Sequence, residues 1–183
     1  MPHQTPNNET IFLKSLIRDI PDFPKAGILF KDITPLLANA KARRMVLDEL
    51  ANGFHNHNID VVAAIEARGF LFGMMLAEKL QVPFVPIRKV GKLPYKKKVA
   101  HYDLEYGTSS IEMHEDAIMK GARVLIHDDL LATGGTAQAA GELVQQVGAN
   151  VAAFSFIINL SFLRGQKDLS NRFGVLVQSV LTY

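Results

Sequence analysis

Apolar residues along this chain follow two rhythms, one of period near four and one of unbroken short runs. In "NNETIFLKSLIRDI", Ile11, Leu13, Leu16, Ile17 and Ile20 recur at helical spacing behind Asn8 or Thr10 as N-cap, and Pro21 ends the segment. That pattern predicts a short amphipathic helix. "PDFPKAGILFKDITP" comes next, and its prolines and glycine predict an irregular ordered loop holding one short extended piece. Residues 40–57 return to the helical rhythm, with Met45, Val46, Leu47, Leu50 and Phe54 on one side.

From there strands and helices alternate. "DVVAAIEARGFLFGMMLAEKL" reads as an apolar strand at 60–65, a polar turn at Arg68-Gly69 and a helix to about Leu80. "VPFVPIRKV" is a second apolar run. "RVLIHDDLLATGGTAQAAGELVQQVGA" repeats the plan, with a strand at 123–127, a glycine turn and a helix over 136–147. "VAAFSFIINL" and "FGVLVQSVLTY" supply two more strands. Uninterrupted apolar strands alternating with helices imply a mostly parallel sheet covered on both faces, an α/β domain. Between them, Tyr102, Leu104, Tyr106 and then Ile111 and Met113 alternate across Gly107-Thr108, which predicts an antiparallel hairpin projecting from the core.

Composition narrows the classes. A chain of 183 residues, 48% hydrophobic and 21% charged, is one globular domain with room for a core. It has no apolar run of about eighteen residues that would span a membrane, and "MPHQTPNNET" is not a secretory leader. Cysteine is absent, which excludes disulfides and thiolate metal sites and suits a cytoplasmic location. A net charge of +2 gives no case for nucleic acid. The charge is uneven, however. "IRKVGKLPYKKK" holds Arg88, Lys89, Lys92 and Lys96 to Lys98 with no acid among them, by default a solvated basic face.

The chemistry concentrates in "HDDLLATGGTA". Thr133, Gly134, Gly135 and Thr136 can turn backbone N–H groups toward an anion, and the helix behind them adds its positive end. Asp128 and Asp129 repel that anion, but as pure acceptors they suit the vicinal hydroxyls of a ribose. A ribose 5-phosphate lying along the turn satisfies both halves. Neither a Walker A loop nor a G-x-G-x-x-G fingerprint occurs. A metal bound by His127, Asp128 and Asp129 fits poorly, because neighbouring strand residues face opposite ways.

"VLIHDDLLATGGTA" resembles the phosphoribosyl-pyrophosphate-binding motif of type I phosphoribosyltransferases. "PDFPKAGILFKDITPLL", "EARGFLFG", "IRKVGKLP" and "YDLEYG" are similar, in this order, to stretches of the adenine phosphoribosyltransferase family. The resemblance covers nearly the whole chain. It implies the type I phosphoribosyltransferase fold, a central mostly parallel sheet flanked by helices, with a flexible antiparallel loop and a small hood. Residues 1–183 would form a single domain, with 1–35 giving the hood and base-binding region. The implied reaction joins adenine to phosphoribosyl pyrophosphate, yielding AMP and pyrophosphate, in a cytoplasmic homodimer of purine salvage.

By the same resemblance, Arg68, Arg88, Lys89 and Lys92 would meet the pyrophosphate, away from the aspartate pair. Asp128, Asp129, Ala132, Thr133, Gly134, Gly135 and Thr136 would hold the ribose phosphate of donor or AMP. Lys96 to Lys98 would stay surface charge. Glu105, with Tyr106, would stabilise the cationic sugar of the transition state, on a hairpin that closes over the site with Gly91 and Gly107 as hinges. Phe30 and Leu130 would sandwich the purine, and backbone groups at Leu29 and Lys31 would read its amino edge. Lys31 stands where relatives often carry Arg, a mild change if only its backbone matters. Magnesium would be the cofactor, carried mainly by the substrate with no direct protein ligand expected.

Three rivals compete. A regulator that binds the donor without turnover usually adds a DNA-binding domain, for which this chain has no spare residues. A 6-oxopurine or orotate enzyme is disfavoured by Ala132, where 6-oxopurine relatives typically carry Asp, and by "GILFKD". A receiver domain would place its acidic pair after the first strand.

Overall fold

The structure, a computed structural model, describes residues 8–103 and 108–183. The chain forms two compact units, divided between Asp48 and Glu49.

In the first unit, α1 spans Asn8–Ser15, shorter than its apolar stripe predicts. Ser15 Oγ donates back to the Phe12 carbonyl at 2.7 Å, and Leu16 and Ile17 close tight turns onto Leu13 and Lys14. Such back-bonding competes with helix continuation. Residues Arg18–Pro21 then become β1, paired antiparallel with β2, Leu29–Asp32, instead of prolonging the helix. The stripe is only partly interior: Leu13 and Ile17 are buried, whereas Ile11 is 55% exposed. α2, Thr34–Ala38, starts behind Asp32, whose Oδ1 accepts the Thr34 N–H at 2.8 Å. α3, Ala40–Asn52, begins in this unit and continues past its last residue, Asp48; it ends earlier than the expected 57 and buries Val46 and Leu50.

The second unit is built on a seven-stranded sheet. Its strands are β3 (Val61–Ile65), β4 (Phe84–Lys89), β5 (Lys97–Asp103), β6 (Thr108–His114), β7 (Arg123–Leu131), β8 (Asn150–Asn159) and β9 (Leu176–Thr182). The order across the sheet is β5-β6-β4-β3-β7-β8-β9. The run from β4 to β9 is parallel, while β6 pairs antiparallel with both β4 and β5. α4 (Gly69–Leu80), α5 (Gly135–Gln146) and α6 (Gly165–Phe173) provide the connections. β3, β7 and β8 are almost wholly buried, as their continuous apolar runs predict. The α/β class and the mostly parallel sheet therefore stand as expected.

The β5–β6 hairpin does not simply project from the core. Arg88↔Glu112 and Lys89↔Ile111 join β6 to β4, and Ala100, Ile111 and Met113 lie in the main hydrophobic cluster. Its first outer pair is Asp103↔Thr108, so the turn itself falls outside the described residues. Among the described residues, no helix is long and apolar enough to cross a membrane.

Candidate active site

β7 runs through to Leu131, so Asp128 and Asp129 lie inside the strand and not at its end. Their carboxyl groups nevertheless lie close enough to interact with each other. Asp129 is buried, and Arg68 Nε sits 2.9 Å from its Oδ2. Arg68 thus meets the aspartate pair, where the expectation kept it apart; a buried carboxylate requires a counter-charge, and the β3–α4 turn supplies one. Asp128 Oδ1 accepts the Asp129 N–H at 2.8 Å. The turn can come this close because Gly69 has no side chain: a Cβ there would lie 2.9 Å from Asp128 Oδ1.

Burial pushes the Asp128 carboxyl well above the usual carboxylate range, and the neighbouring Asp129 charge adds to it. Burial also raises Asp129, against the pull of Arg68. The pair is therefore under electrostatic tension, which a diol donating to it or a cation beside it would relieve.

Asp128, Leu130, residues 131–137 and Phe156 line a cavity of about 90 Å³. Gly134 adopts φ 87°, a left-handed conformation that opens α5 directly behind the turn. The first turn of α5 carries no acid, so its positive end faces the cavity uncompensated. Ala132, Thr133, Gly134, Gly135 and Thr136 all contribute to this wall. The turn is backed by Gly165 at the start of α6, where a Cβ would overlap the Ala132 carbonyl oxygen and lie 3.1 Å from the Gly134 nitrogen. A larger cavity, about 260 Å³, lies beside α6 among Asn159, Ser161, Gln166, Lys167 and Ser170. It lacks both the acidic pair and the glycine turn.

A second arm of the unit carries the cations. Arg88 Nε donates to Glu66 Oε2 at 2.7 Å, and its Nη1 reaches the Lys92 carbonyl at 3.3 Å. Lys89 and Lys92 are exposed. Lys97 is not plain surface charge, since its Nζ lies 2.9 Å from Oε2 of the buried Glu112. The other oxygen of Glu112 accepts the N–H groups of Lys92 and Leu93 at 2.9 and 2.7 Å. Burial pushes the Glu112 carboxyl up, but Lys97 and the backbone N–H groups of Leu93, Gly91 and Lys92 outweigh it and hold the pKa at about 2.

His127 is buried against Ser155, with Nδ1 2.8 Å from the hydroxyl, and burial pulls its pKa down to about 3. Among the described residues no group of three or more His, Cys, Asp or Glu could hold a metal.

The remaining expected residues divide between the first unit and the hairpin turn. On β2, Leu29 is 49% exposed and Phe30 is half-buried, its ring 5.1 Å from that of Phe23 in an edge contact. The Lys31 side chain is buried, with Nζ 2.6 Å from Asp19 Oδ1, so a ligand meeting this position would meet its backbone. Glu105 and Tyr106 lie outside the described residues.

Residues 36–177 match the family model of the phosphoribosyl transferase domain. The adenine phosphoribosyltransferase of Sorangium cellulosum is 54% identical over 163 residues, covering 89% of this chain and 82% of that protein. This chain belongs to the adenine phosphoribosyltransferases. Solved structures agree: that of the Thermoanaerobacter pseudethanolicus adenine phosphoribosyltransferase superposes with a TM-score of 0.91 at 49% identity, covering 95% of this chain and 99% of that one. The Saccharomyces cerevisiae enzyme, solved with adenine and an imino-altritol bisphosphate, gives 0.86 at 40%, covering 94% and 98%.

In this adenine phosphoribosyltransferase, Glu66, Glu112 and Gly165 carry no signal of their own in the sequence. Each is a lone residue whose partner is distant in the chain. The one available signal was the absence of any acid in 87–98, which implies that acids from other segments balance it.

Proposed function

We infer that this chain transfers the 5-phosphoribosyl group from phosphoribosyl pyrophosphate to adenine, giving AMP and pyrophosphate, as an enzyme of purine salvage. The observation that carries this reading is the convergence of Asp128 and the 133–136 turn on one cavity, acceptors at one end and backbone donors at the other. That division matches a sugar phosphate and little else.

The 5′-phosphate takes the N–H groups and hydroxyls from Thr133 to Thr136, and the ribose hydroxyls donate to Asp128 and Asp129. Arg68, Arg88, Lys89 and Lys92 receive the pyrophosphate. Adenine stacks on Phe30 and Leu130, read by the backbone at Leu29 and Lys31, and Ala132 offers no carboxylate to a 6-oxopurine. The bond from the anomeric carbon to pyrophosphate breaks with its electron pair on the leaving oxygen. The ring nitrogen of adenine bonds to that carbon and passes its proton to water. Glu105 stabilises the cationic sugar, with Tyr106 beside it. Magnesium, when bound, would supply charge neutralisation at the donor's pyrophosphate and would be held mainly by the substrate's oxygens, since Asp129 already faces Arg68 and Asp128 is given to the ribose. The working form is expected to be a homodimer in the cytoplasm, and sedimentation of the purified protein would test the dimer.

The test is pyrophosphate release from the donor and magnesium with adenine, hypoxanthine, guanine or orotate. Turnover with adenine alone is expected. Turnover with a 6-oxopurine overturns the role given to Ala132. Donor binding without turnover on any base moves the chain to the regulators.

A further inference from the structure

We propose that Glu112 is a positioning residue for the pyrophosphate arm: it fixes the 91–93 turn, and through it Lys92 and Arg88, in the geometry that receives the donor. The proposal rests on the reading that Arg88 and Lys92 meet the pyrophosphate.

Glu112 has no exposed surface and sits on β6 between the buried Ile111 and Met113. An apolar residue would fill that place without loss of hydration, whereas a buried carboxylate is destabilising unless it is paired and hydrogen-bonded. Here its partners all belong to one segment. Oε1 takes the N–H groups of Lys92 and Leu93, and Oε2 faces Lys97. The contacts then continue outward. The Lys92 carbonyl receives Arg88 Nη1, Arg88 Nε is held by Glu66, and Arg88 is the β-ladder partner of Glu112 itself. Glu66 and Glu112 thus engage Arg88 and Lys97, while Lys89 and Lys92 stay exposed beside them. A turn containing Gly91 at φ 91° has little stiffness of its own, so an anchor from the sheet sets where Lys92 points.

The experiment compares the intact enzyme with Glu112→Ala, Glu112→Gln, Lys92→Ala and the double variant Glu112→Ala/Lys92→Ala. The readouts are both KM values, kcat, product inhibition by pyrophosphate and circular dichroism. Glu112→Ala is expected to raise the donor KM and the pyrophosphate Ki together by about tenfold, with kcat and the adenine KM within about twofold and the spectrum unchanged. Glu112→Gln keeps an acceptor for the two N–H groups and is expected to limit the rise to about threefold. The double variant should fall well short of the product of the singles, because both act through the same contact. An unchanged donor KM in Glu112→Ala overturns the proposal, as does a uniform loss in kcat and both KM values, which a merely structural role would give. An unchanged donor KM in Lys92→Ala overturns the reading of the arm and the proposal with it. Should Glu112→Ala fail to fold, Glu112→Gln decides: donor KM and pyrophosphate Ki must still rise together, and unchanged values overturn the anchor.

Discussion

At Gly165 one methyl group decides whether the turn at 132–134 can keep its place against α6. A Cβ there would overlap the Ala132 carbonyl oxygen, which belongs to backbone and cannot swing away. Gly165→Ala is therefore expected to lower kcat/KM for the donor by at least about tenfold, leave the adenine KM nearly unchanged and reduce the melting temperature by several degrees. Steady-state kinetics and a thermal melt check this. His127 is a second single-residue case, and here the variable is pH. Its pKa falls from 6.5 to about 3 on burial, so the folded state prefers the neutral ring. The stability from that preference is present above pH 6.5 and is lost as pH falls toward 3. Between pH 6.5 and 5 the loss amounts to up to about 2 kcal/mol, and Glu112, which titrates from 4.5 down to about 2, does not yet contribute. Over that range the urea midpoint of the intact protein should lose ground to that of His127→Val, since the opposing contribution of the raised Asp128 and Asp129 is common to both. Parallel slopes would show that the ring is not held neutral.

β7 carries the conflict between stability and function at the scale of an element. Two acids interrupt its apolar run, and burial raises both pKa values. A raised acid contributes stability below its unfolded pKa of 3.8 and loses it as pH rises through the folded value. Asp128→Asn removes that penalty. At pH 7 to 8 it is expected to melt about 3 °C higher than the intact protein, with the gap closing toward pH 4, while activity drops by orders of magnitude. An advantage over the intact protein no larger at pH 8 than at pH 4 would contradict the tension read from the structure. The strand also shows what sequence could and could not tell. Its apolar residues announce β7, and the glycine turn and α5 follow within a residue or so of expectation. That the strand continues through two aspartates was not legible, because the permission comes from Arg68, about sixty residues earlier in the chain. β1 and α6 escaped for a related reason. β1 is mostly exposed, and α6 buries only Gly165 and Leu169, so neither writes a periodic apolar pattern. Long apolar elements were readable from their own residues; polar elements and ion pairs depend on partners elsewhere in the fold.

For the molecule as a whole, the proposed magnesium is expected to arrive with the substrate and not to reside in the protein. Among the described residues no group of three or more acids and histidines could hold a metal, and the acids nearest the cavity already face Arg68 or each other. A resident ion would stabilise the folded state by mass action whether or not substrate is present. A substrate-borne ion stabilises only in company. Chelation is therefore expected to leave the melting temperature of the unliganded protein unchanged. Magnesium alone should also leave it unchanged. Donor and magnesium together should raise it, since a ligand at about 100 times its Kd adds about 2.7 kcal/mol. The donor with chelator should raise it less, because the pyrophosphate then keeps charge that the proposed basic arm would have to offset unaided. Turnover should vanish with chelator and return with magnesium. A melting temperature that drops on chelation alone would mean that the protein itself binds a cation. Asp128 and Asp129 would then be its first suspects, with their raised pKa values reporting a site built for a metal in place of a diol.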